Sequence, residues 1–180
     1  PFPSAATITW IGHDHVAVDR PRRGGEFNRS RPRGAVPARY CPAVQRAELV
    51  EILRRYKFGV VATVSVAAAP QAATVGIAVG DELELVFDTL TTTRKHANLA
   101  HEARVAVVLG EGEVTVQLEG IADEPRGAEL ARIQAIYFAT FPDGRERAGW
   151  NHITWIRVKP TWARVSDYTQ DPPAITEVAL

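Results

Sequence analysis

The feature that most constrains the fold is the shortness of the links between the β-type runs of residues 58–87. Residues 58–66, 71–79 and 83–87 are rich in valine and other apolar or β-branched side chains, which favour strands. The links between them are residues 67–70 and the dipeptide Gly80-Asp81. A parallel connection needs a dozen or more residues, usually as a helix. The sequence therefore predicts an antiparallel meander of three strands.

Helical and strand-like segments alternate along the rest of the chain. Apolar residues recur at helical spacing in residues 44–57 and 126–141, and Pro125 favours the start of the second of these helices. Residues 93–101 predict a short helix with threonines as candidate N-caps. Further strands are predicted over residues 104–109, 113–123, 153–158 and 161–166, with Pro160 dividing the last two. This order indicates a mainly β fold, a closed antiparallel barrel with flanking helices.

Composition divides the 180-residue chain into an arm, a domain and a tail. Residues 1–42 are rich in Pro, Gly and Arg, and residues 1–40 contain seven arginines against three acidic residues. Such a segment resists regular structure, so we expect a flexible basic extension; the alternative is an arm that binds nucleic acid. We expect one domain over residues 43–168 and a C-terminal tail over residues 169–180.

Some classes of protein are disfavoured by what the sequence lacks. No apolar run approaches the ~18 residues that a membrane span needs, and no secretory leader opens the chain. We therefore expect a cytoplasmic protein with no membrane partner. Cys41 is the only cysteine, so an intrachain disulfide is ruled out. The five histidines lack the spacing of metal ligands, and we expect no metal site.

The segment of residues 87–95 carries the clearest chemical signal. A strand ends here, hydroxyl side chains including Thr89 and Thr93 follow, and the adjacent cations Arg94 and Lys95 open a helix. A helix N-terminus offers unpaired N–H groups and a partial positive charge, and an arginine can fork onto two phosphate oxygens. These residues could form a phosphate pocket. The alternative is a capped surface helix with two solvated cations, and local sequence alone leaves both open.

A series of short motifs runs in order, without large gaps, through residues 58–167. It begins with Phe-Gly-Val-Val-Ala-Thr-Val-Ser-Val from residue 58, Ala-Pro-Gln from 69, Leu-Val-Phe-Asp-Thr from 85 and Thr-Arg-Lys from 93. It continues with Ala-Arg-Val-Ala-Val-Val from residue 103, Gln-Leu-Glu-Gly-Ile-Ala from 117 and Ile-Arg-Val-Lys-Pro-Thr-Trp-Ala-Arg-Val-Ser-Asp from 156. Each motif is short, and the specificity lies in their order and spacing. Together they resemble the pyridoxamine 5'-phosphate oxidase-like family.

The resemblance implies a six-stranded split barrel of the FMN-binding type, which forms a homodimer with the cofactor at the subunit interface. It implies that Thr93, Arg94 and Lys95 bind the FMN phosphate together with Thr89. The second strand would run along the isoalloxazine ring, and the fifth would reach the cofactor. These two strands contribute the remaining candidate cofactor-binding residues: Ala73, Thr74, Val75, Gly76, Thr115 and Gln117.

The chain also departs from the true oxidase of that family. Ala73 and Ala78 stand where the oxidase has an Arg and a Lys near the flavin, and the basic C-terminal segment that grips the substrate phosphate is replaced by Ser-Asp-Tyr at residues 166–168. The resemblance is therefore to the smaller branch, some of whose members bind deazaflavin or haem. It predicts an FMN-dependent oxidoreductase of unknown substrate; the alternative is a non-catalytic protein that binds flavin, deazaflavin or haem.

Overall fold

The computed structural model describes residues 44–180. The predicted basic extension of residues 1–42 lies outside the described residues. Among those described, no helix has the length and apolar character needed to cross a bilayer. The helices are α1 Arg46–Leu53, α2 Arg94–His101, α3 Gly127–Thr140 and α4 Gly144–Arg147. The strands are β1 Phe58–Val64, β2 Pro70–Gly76, β3 Ala78–Val79, β4 Leu85–Leu90, β5 Arg104–Glu111, β6 Val114–Asp123, β7 Ile153–Asp167 and β8 Ala174–Val178.

The strands form one antiparallel sheet that closes on itself. Its order is β2-β1-β5-β6-β7-β4-β3, with β8 added beside β7. The two ends of this order, β2 and β3, are neighbours in sequence and are separated only by Ile77. The Ile77 N–H donates to the Lys57 carbonyl, 2.9 Å away, while the residues after it pair with β4. The sheet therefore curls until its edges meet at one residue, which makes a barrel.

The prediction of a mainly β barrel with flanking helices is confirmed, and the strand boundaries show three differences. The predicted second strand divides at Ile77, because its first part pairs with β1 and its last part with β4. The two predicted final strands are one continuous strand through Pro160. The predicted tail contains β8, which pairs with the end of β7. The sheet accordingly has eight strands rather than six.

Pro160 is tolerated within β7 because the ladder is irregular there. The register between β6 and β7 shifts between Glu119 and Gly120, and Gly120 lies opposite Pro160. A proline has no N–H to donate, so in sheets it belongs at bulges and edges. A Cβ on Gly120 would lie 2.6 Å from the Lys159 carbonyl oxygen. The bulge therefore needs glycine opposite the proline.

Two apolar clusters stabilise the fold. The larger fills the barrel interior, where α1 contributes the fully buried Leu49 and Leu53. The smaller lies outside the barrel, where Ile133 and Tyr137 of α3 pack on Val86 and Trp155. Helix α3 thus lies on the outer side of β4 and β7. On the outer face of β2, β1, β5 and β6 several apolar side chains stay exposed, and Phe141 at the end of α3 reaches Phe58 and Gly76.

Candidate cofactor site

A chain of hydrogen bonds links the end of β4 to the start of α2. The Thr93 hydroxyl donates to the Leu90 carbonyl at 2.8 Å, and it lies 3.1 Å from the Thr89 hydroxyl. Lys95 Nζ donates to Thr89 Oγ1 at 3.2 Å. Since Thr93 uses its proton on Leu90, the Thr89 hydroxyl is the donor to Thr93. Three of the residues predicted for the phosphate site therefore form one cluster.

Thr93 also caps helix α2, as its sequence position predicted. Its side-chain oxygen accepts from the His96 N–H at 3.4 Å. The first turn of the helix thus points its N–H groups toward the threonine cluster. Asn98, buried in the middle of α2, donates to the Thr63 hydroxyl at 2.9 Å and to Gln71 at 3.1 Å. Asn98 fixes α2 against β1 and β2, so the cluster is held by three strands.

Arg94 is the fourth member of the predicted phosphate site. Its side chain is exposed, and within residues 44–180 no carboxylate lies in ion-pair distance of it. Arg147 and Arg157, in contrast, each contact two carboxylates. Two adjacent cations and a helix N-terminus, beside the two hydrogen-bonded threonine hydroxyls, give the site a net positive charge. Such a set suits a phosphate group.

Sequence reasoning missed Glu124 and Thr154, which border this cluster. Thr154 lies directly opposite Thr89 in the β4–β7 ladder, and its hydroxyl donates to Glu124 Oε1 at 2.6 Å. The other Glu124 oxygen lies 3.3 Å from His96 Nε2. The hydrogen bond from Thr154, with a further contribution from His96, lowers the pKa of Glu124. This carboxylate is therefore ionised at neutral pH and anchors the loop before α3 to β7 and α2.

A second missed group lies behind β4, on the opposite side of the strand from Thr89. Asp88 accepts hydrogen bonds from Tyr137 at 2.8 Å and from Arg147 Nε at 2.7 Å. Burial, followed by the hydrogen bond to Asp88, raises the pKa of Tyr137 well above its ordinary value. The group links β4 to α3 and α4, and so fixes the strand end that presents Thr89.

The candidate residues of β2 divide between its two faces. Ala73 and Val75 lie opposite Val61 and Gly59 and face the barrel interior, whereas Thr74 and Gly76 face outward. A Cβ on Gly76 would lie 2.9 Å from the ring of Phe141, so the glycine allows that aromatic ring to approach the strand. Along its other edge β2 has no ladder with a described strand, because it pairs only with β1.

Thr115 and Gln117 of β6 lie on the same outer face as Thr74. The registers place Thr74, Val60, Val108 and Gln117 in one row across β2, β1, β5 and β6. Three strand spacings of about 4.8 Å put Gln117 roughly 14 Å from Thr74. The structure therefore does not bring the predicted residues of β6 into contact with those of β2 within one chain.

The sequence model of the pyridoxamine 5'-phosphate oxidase family matches residues 46–167, more than half of the chain and all of the candidate site. The chain belongs to the pyridoxamine 5'-phosphate oxidase family. This agrees with the resemblance carried by the motifs of residues 58–167. No curated protein matches the sequence.

Solved structures of similar fold include family members and relatives with other ligands. A pyridoxamine 5'-phosphate oxidase-related, FMN-binding protein of Nostoc punctiforme is 13% identical, with a TM-score of 0.57, and 72% of this chain matches 88% of it. A haem-binding protein of Mycobacterium smegmatis is 21% identical, with a TM-score of 0.62 over 72% of this chain and 57% of its own. A protein of unknown function from Agrobacterium tumefaciens is 21% identical, with a TM-score of 0.58 over 67% of this chain.

These structural likenesses show the fold alone, since all three identities are low. The chain spans 56% of the Agrobacterium protein and 57% of the Mycobacterium protein, so each of those chains has parts without a counterpart here. The pyridoxamine 5'-phosphate oxidase fold is thus shared by proteins that bind FMN and by proteins that bind haem. The fold therefore does not identify the ligand of this chain, which depends on its own residues.

Proposed function

We propose that the protein binds FMN between two copies of the chain and uses it in an oxidation–reduction reaction. The observation that carries this proposal is the cluster at the β4–α2 junction, where Arg94 has no carboxylate partner among the described residues. A cation pair beside two hydroxyls and a helix N-terminus is suited to a phosphate dianion. Family membership supports the choice of FMN as the molecule that bears this phosphate.

Each residue of the cluster has a distinct role in holding the phosphate. Arg94 can fork two N–H groups onto two oxygens, and Lys95 adds a point charge whose position is set by its bond to Thr89. Thr93 directs the helix N-terminus at the site through its cap on His96. Glu124 is kept away from the cations, because both of its oxygens are already bonded to Thr154 and His96.

The ring of the cofactor would lie along β2. This strand pairs on one side only, so part of its backbone N–H and C=O groups remains available to ring nitrogens and carbonyls. Ala72 and Ala73 at its centre have small side chains, which lets a flat ring approach the backbone. Bound FMN supplies hydride chemistry itself, so the protein needs to bind and orient the ring and needs no acid–base pair of its own.

The outer face of the barrel supports the proposal of a homodimer. Exposed apolar side chains lie on the outer face of β1, β5 and β6: Phe58 at 62% exposure, Val60 at 39%, Val64 at 38%, Val108 at 43% and Ile121 at 44%. Exposed apolar surface on one face of a sheet is typical of an interface. A two-fold axis between Val60 and Val108 would place Gln117 of the partner subunit opposite Thr74, so that each site draws on both chains.

An absorption spectrum of the purified protein, recorded with and without added FMN, tests the proposal. We expect a tightly bound yellow chromophore that is reduced by a nicotinamide donor. Absence of binding at micromolar FMN would reject the flavin assignment. Bound FMN that no nicotinamide donor reduces would favour the non-catalytic alternative, and a deazaflavin or haem spectrum would replace FMN by that ligand.

A further inference from the structure

An arginine on β7 contacts Gln117, one of the two β6 residues proposed to reach the cofactor. Arg164 lies directly opposite Gln117 in the β6–β7 ladder, and its Nη2 donates to Gln117 Oε1 at 2.9 Å. The Arg164 guanidinium also lies over the Trp162 ring, 5.8 Å from its centroid. Its Nε is buried and has no acceptor among the described residues. The guanidinium is therefore confined between the ring and the amide.

The contact determines which end of the Gln117 amide is free. A guanidinium carries only donors, so the atom that it contacts must be the carbonyl oxygen of the amide. The NH2 group then points away from Arg164, and no acceptor for it lies within the described residues. A glutamine without such a neighbour could rotate and present either a donor or an acceptor. Here only the donor is presented.

The positive charge of Arg164 also favours the amide N–H groups of Gln117 as hydrogen-bond donors. No carboxylate among the described residues forms an ion pair with Arg164, although Glu177 is its neighbour on β8. Gln117 is half-buried, so the amide is only partly screened by water. A cation behind the carbonyl polarises the amide and strengthens its N–H groups as donors. Arg164 thus favours a ligand group that accepts a hydrogen bond.

We infer that Arg164 is a positioning residue, which holds the Gln117 carbonyl so that the amide N–H groups meet an acceptor on the isoalloxazine ring. The inference rests on the proposed function, because it takes the flavin to be the ligand. The outer face of β6 and β7 would then select a ring edge that accepts hydrogen bonds, whereas the β4–α2 junction recognises the phosphate.

The test is equilibrium binding of FMN and of riboflavin, which lacks the phosphate, to the full chain and to four variants. The variants are Arg164→Met, Arg164→Lys, Gln117→Ala and the double variant of Arg164→Met with Gln117→Ala. We expect Arg164→Met to raise the dissociation constants of both ligands about ten-fold, the worth of one polarised hydrogen bond. Arg164→Lys keeps a donor and should lose less. In the double variant the loss should be no greater than in Gln117→Ala alone, because Arg164 acts through Gln117.

Other results would overturn the inference. If Arg164→Met weakens the binding of FMN but leaves the binding of riboflavin unchanged, Arg164 contacts the phosphate. Additive losses in the double variant, or unchanged binding by Arg164→Met, would show that Arg164 does not act through Gln117. If Arg164→Met fails to fold, Gln117→Glu serves instead: its carboxylate still pairs with Arg164, has no N–H, and should weaken both ligands alike. Wild-type protein that binds no FMN would reject the proposed function and the inference together, whereas wild-type binding with additive losses would reject the inference alone.

Discussion

Arg94 differs from three arginines near the barrel, which are held in ion pairs. Arg132, Arg147 and Arg157 are each held by carboxylates that fix a helix or loop to the sheet. Arg94 stands exposed at the first position of α2, beside Lys95 and the two threonines. A cation that stabilises no neighbouring element is available to an anionic ligand.

The substitution Arg94→Ala tests this role directly. We expect it to weaken FMN binding by about 1.5–3 kcal/mol, the usual worth of a charge-assisted hydrogen bond, and to leave riboflavin binding unchanged. The measurement is titration followed by flavin fluorescence. Arg55→Ala removes another exposed arginine, just after α1, and should alter neither constant. Equal FMN affinity in the two variants would place the phosphate elsewhere.

The residues of this cluster were predictable from sequence to different degrees. Thr93, Arg94 and Lys95 lie within three positions, so local rules for caps and helix starts were enough to propose them. Glu124 and Thr154 reach the same place through the β4–β7 register and the loop before α3, which no local pattern encodes. The orienting contact of Arg164 with Gln117 also depends on register alone.

At the scale of elements, ion pairs attach α3 to the barrel. Arg157 of β7 is 9% exposed and donates to Asp123 at 2.5 Å and to Glu129 of α3 at 2.8 Å. Glu129 also contacts Arg132, which in turn pairs with the buried Glu84 of the β3–β4 turn. One continuous network thus joins β7, the end of β6, α3 and the turn before β4.

Loss of Arg157 should loosen this attachment. We expect Arg157→Met to lower the free energy of unfolding by about 1–3 kcal/mol, because a mostly buried charged hydrogen-bond donor is removed from its acceptors. The measurement is urea denaturation at neutral pH. Arg104→Ala provides the control, since its pair with Glu102 is 78% exposed on the arginine side and should contribute nothing measurable. Equal midpoints for the two variants would contradict the assigned role.

The same network predicts how stability depends on pH. The hydrogen bond from Arg132 lowers the pKa of Glu129; for Asp123 burial raises the pKa, but the hydrogen bond and charge of Arg157 outweigh it and lower it. Carboxyl groups with a lowered pKa stabilise the fold above their ordinary values of 4.5 and 3.8, and this contribution is lost as the pH falls through the lowered values. The stability difference between wild type and Arg157→Met should therefore shrink below about pH 4. A constant difference from pH 7 to pH 3 in urea midpoints would contradict this.

The elements themselves show where sequence patterns suffice. Helix positions and most strands follow from periodicity, because each pattern is local. The division of the second strand at Ile77 was missed, since residues 71–79 read as one apolar run and only the closure of the barrel separates its halves. The continuity of β7 through Pro160 was missed because the compensating Gly120 lies on another strand.

At the scale of the whole molecule, the exposed outer face decides whether the proposed two-chain site can form. Within one chain, the candidate residues of β2 and β6 are separated by the width of two strands, β1 and β5. Pairing of two copies through this face would cover Val60 and Val108 and bring the two groups together. The sequence predicted a homodimer only through the family resemblance. Alternate residues of a strand share one face, but whether that face is exposed depends on the order of strands in the sheet.

A charge at the centre of this face should separate the copies. We expect Val108→Asp to convert a dimer to a monomer, as measured by light scattering after gel filtration, and to weaken FMN binding in the same sample. Leu180→Asp is the control, because Leu180 is exposed to 40%, close to the 43% of Val108, and lies outside the strands of this face. A monomeric wild type, or a Val108→Asp dimer with normal affinity, would contradict the two-chain site.

The closure of the barrel also has a consequence for the order of events during synthesis. The principal ladder of β4 is with β7, and partners such as Phe87 and Ile156 are nearly seventy positions apart in the chain. Non-local pairing of this kind is slow and must await the later segment. Thr89 therefore lacks its ladder partner Thr154 until that residue has left the ribosome. A nascent chain halted before that point should expose β4 to chaperones and should not yet bind the proposed FMN.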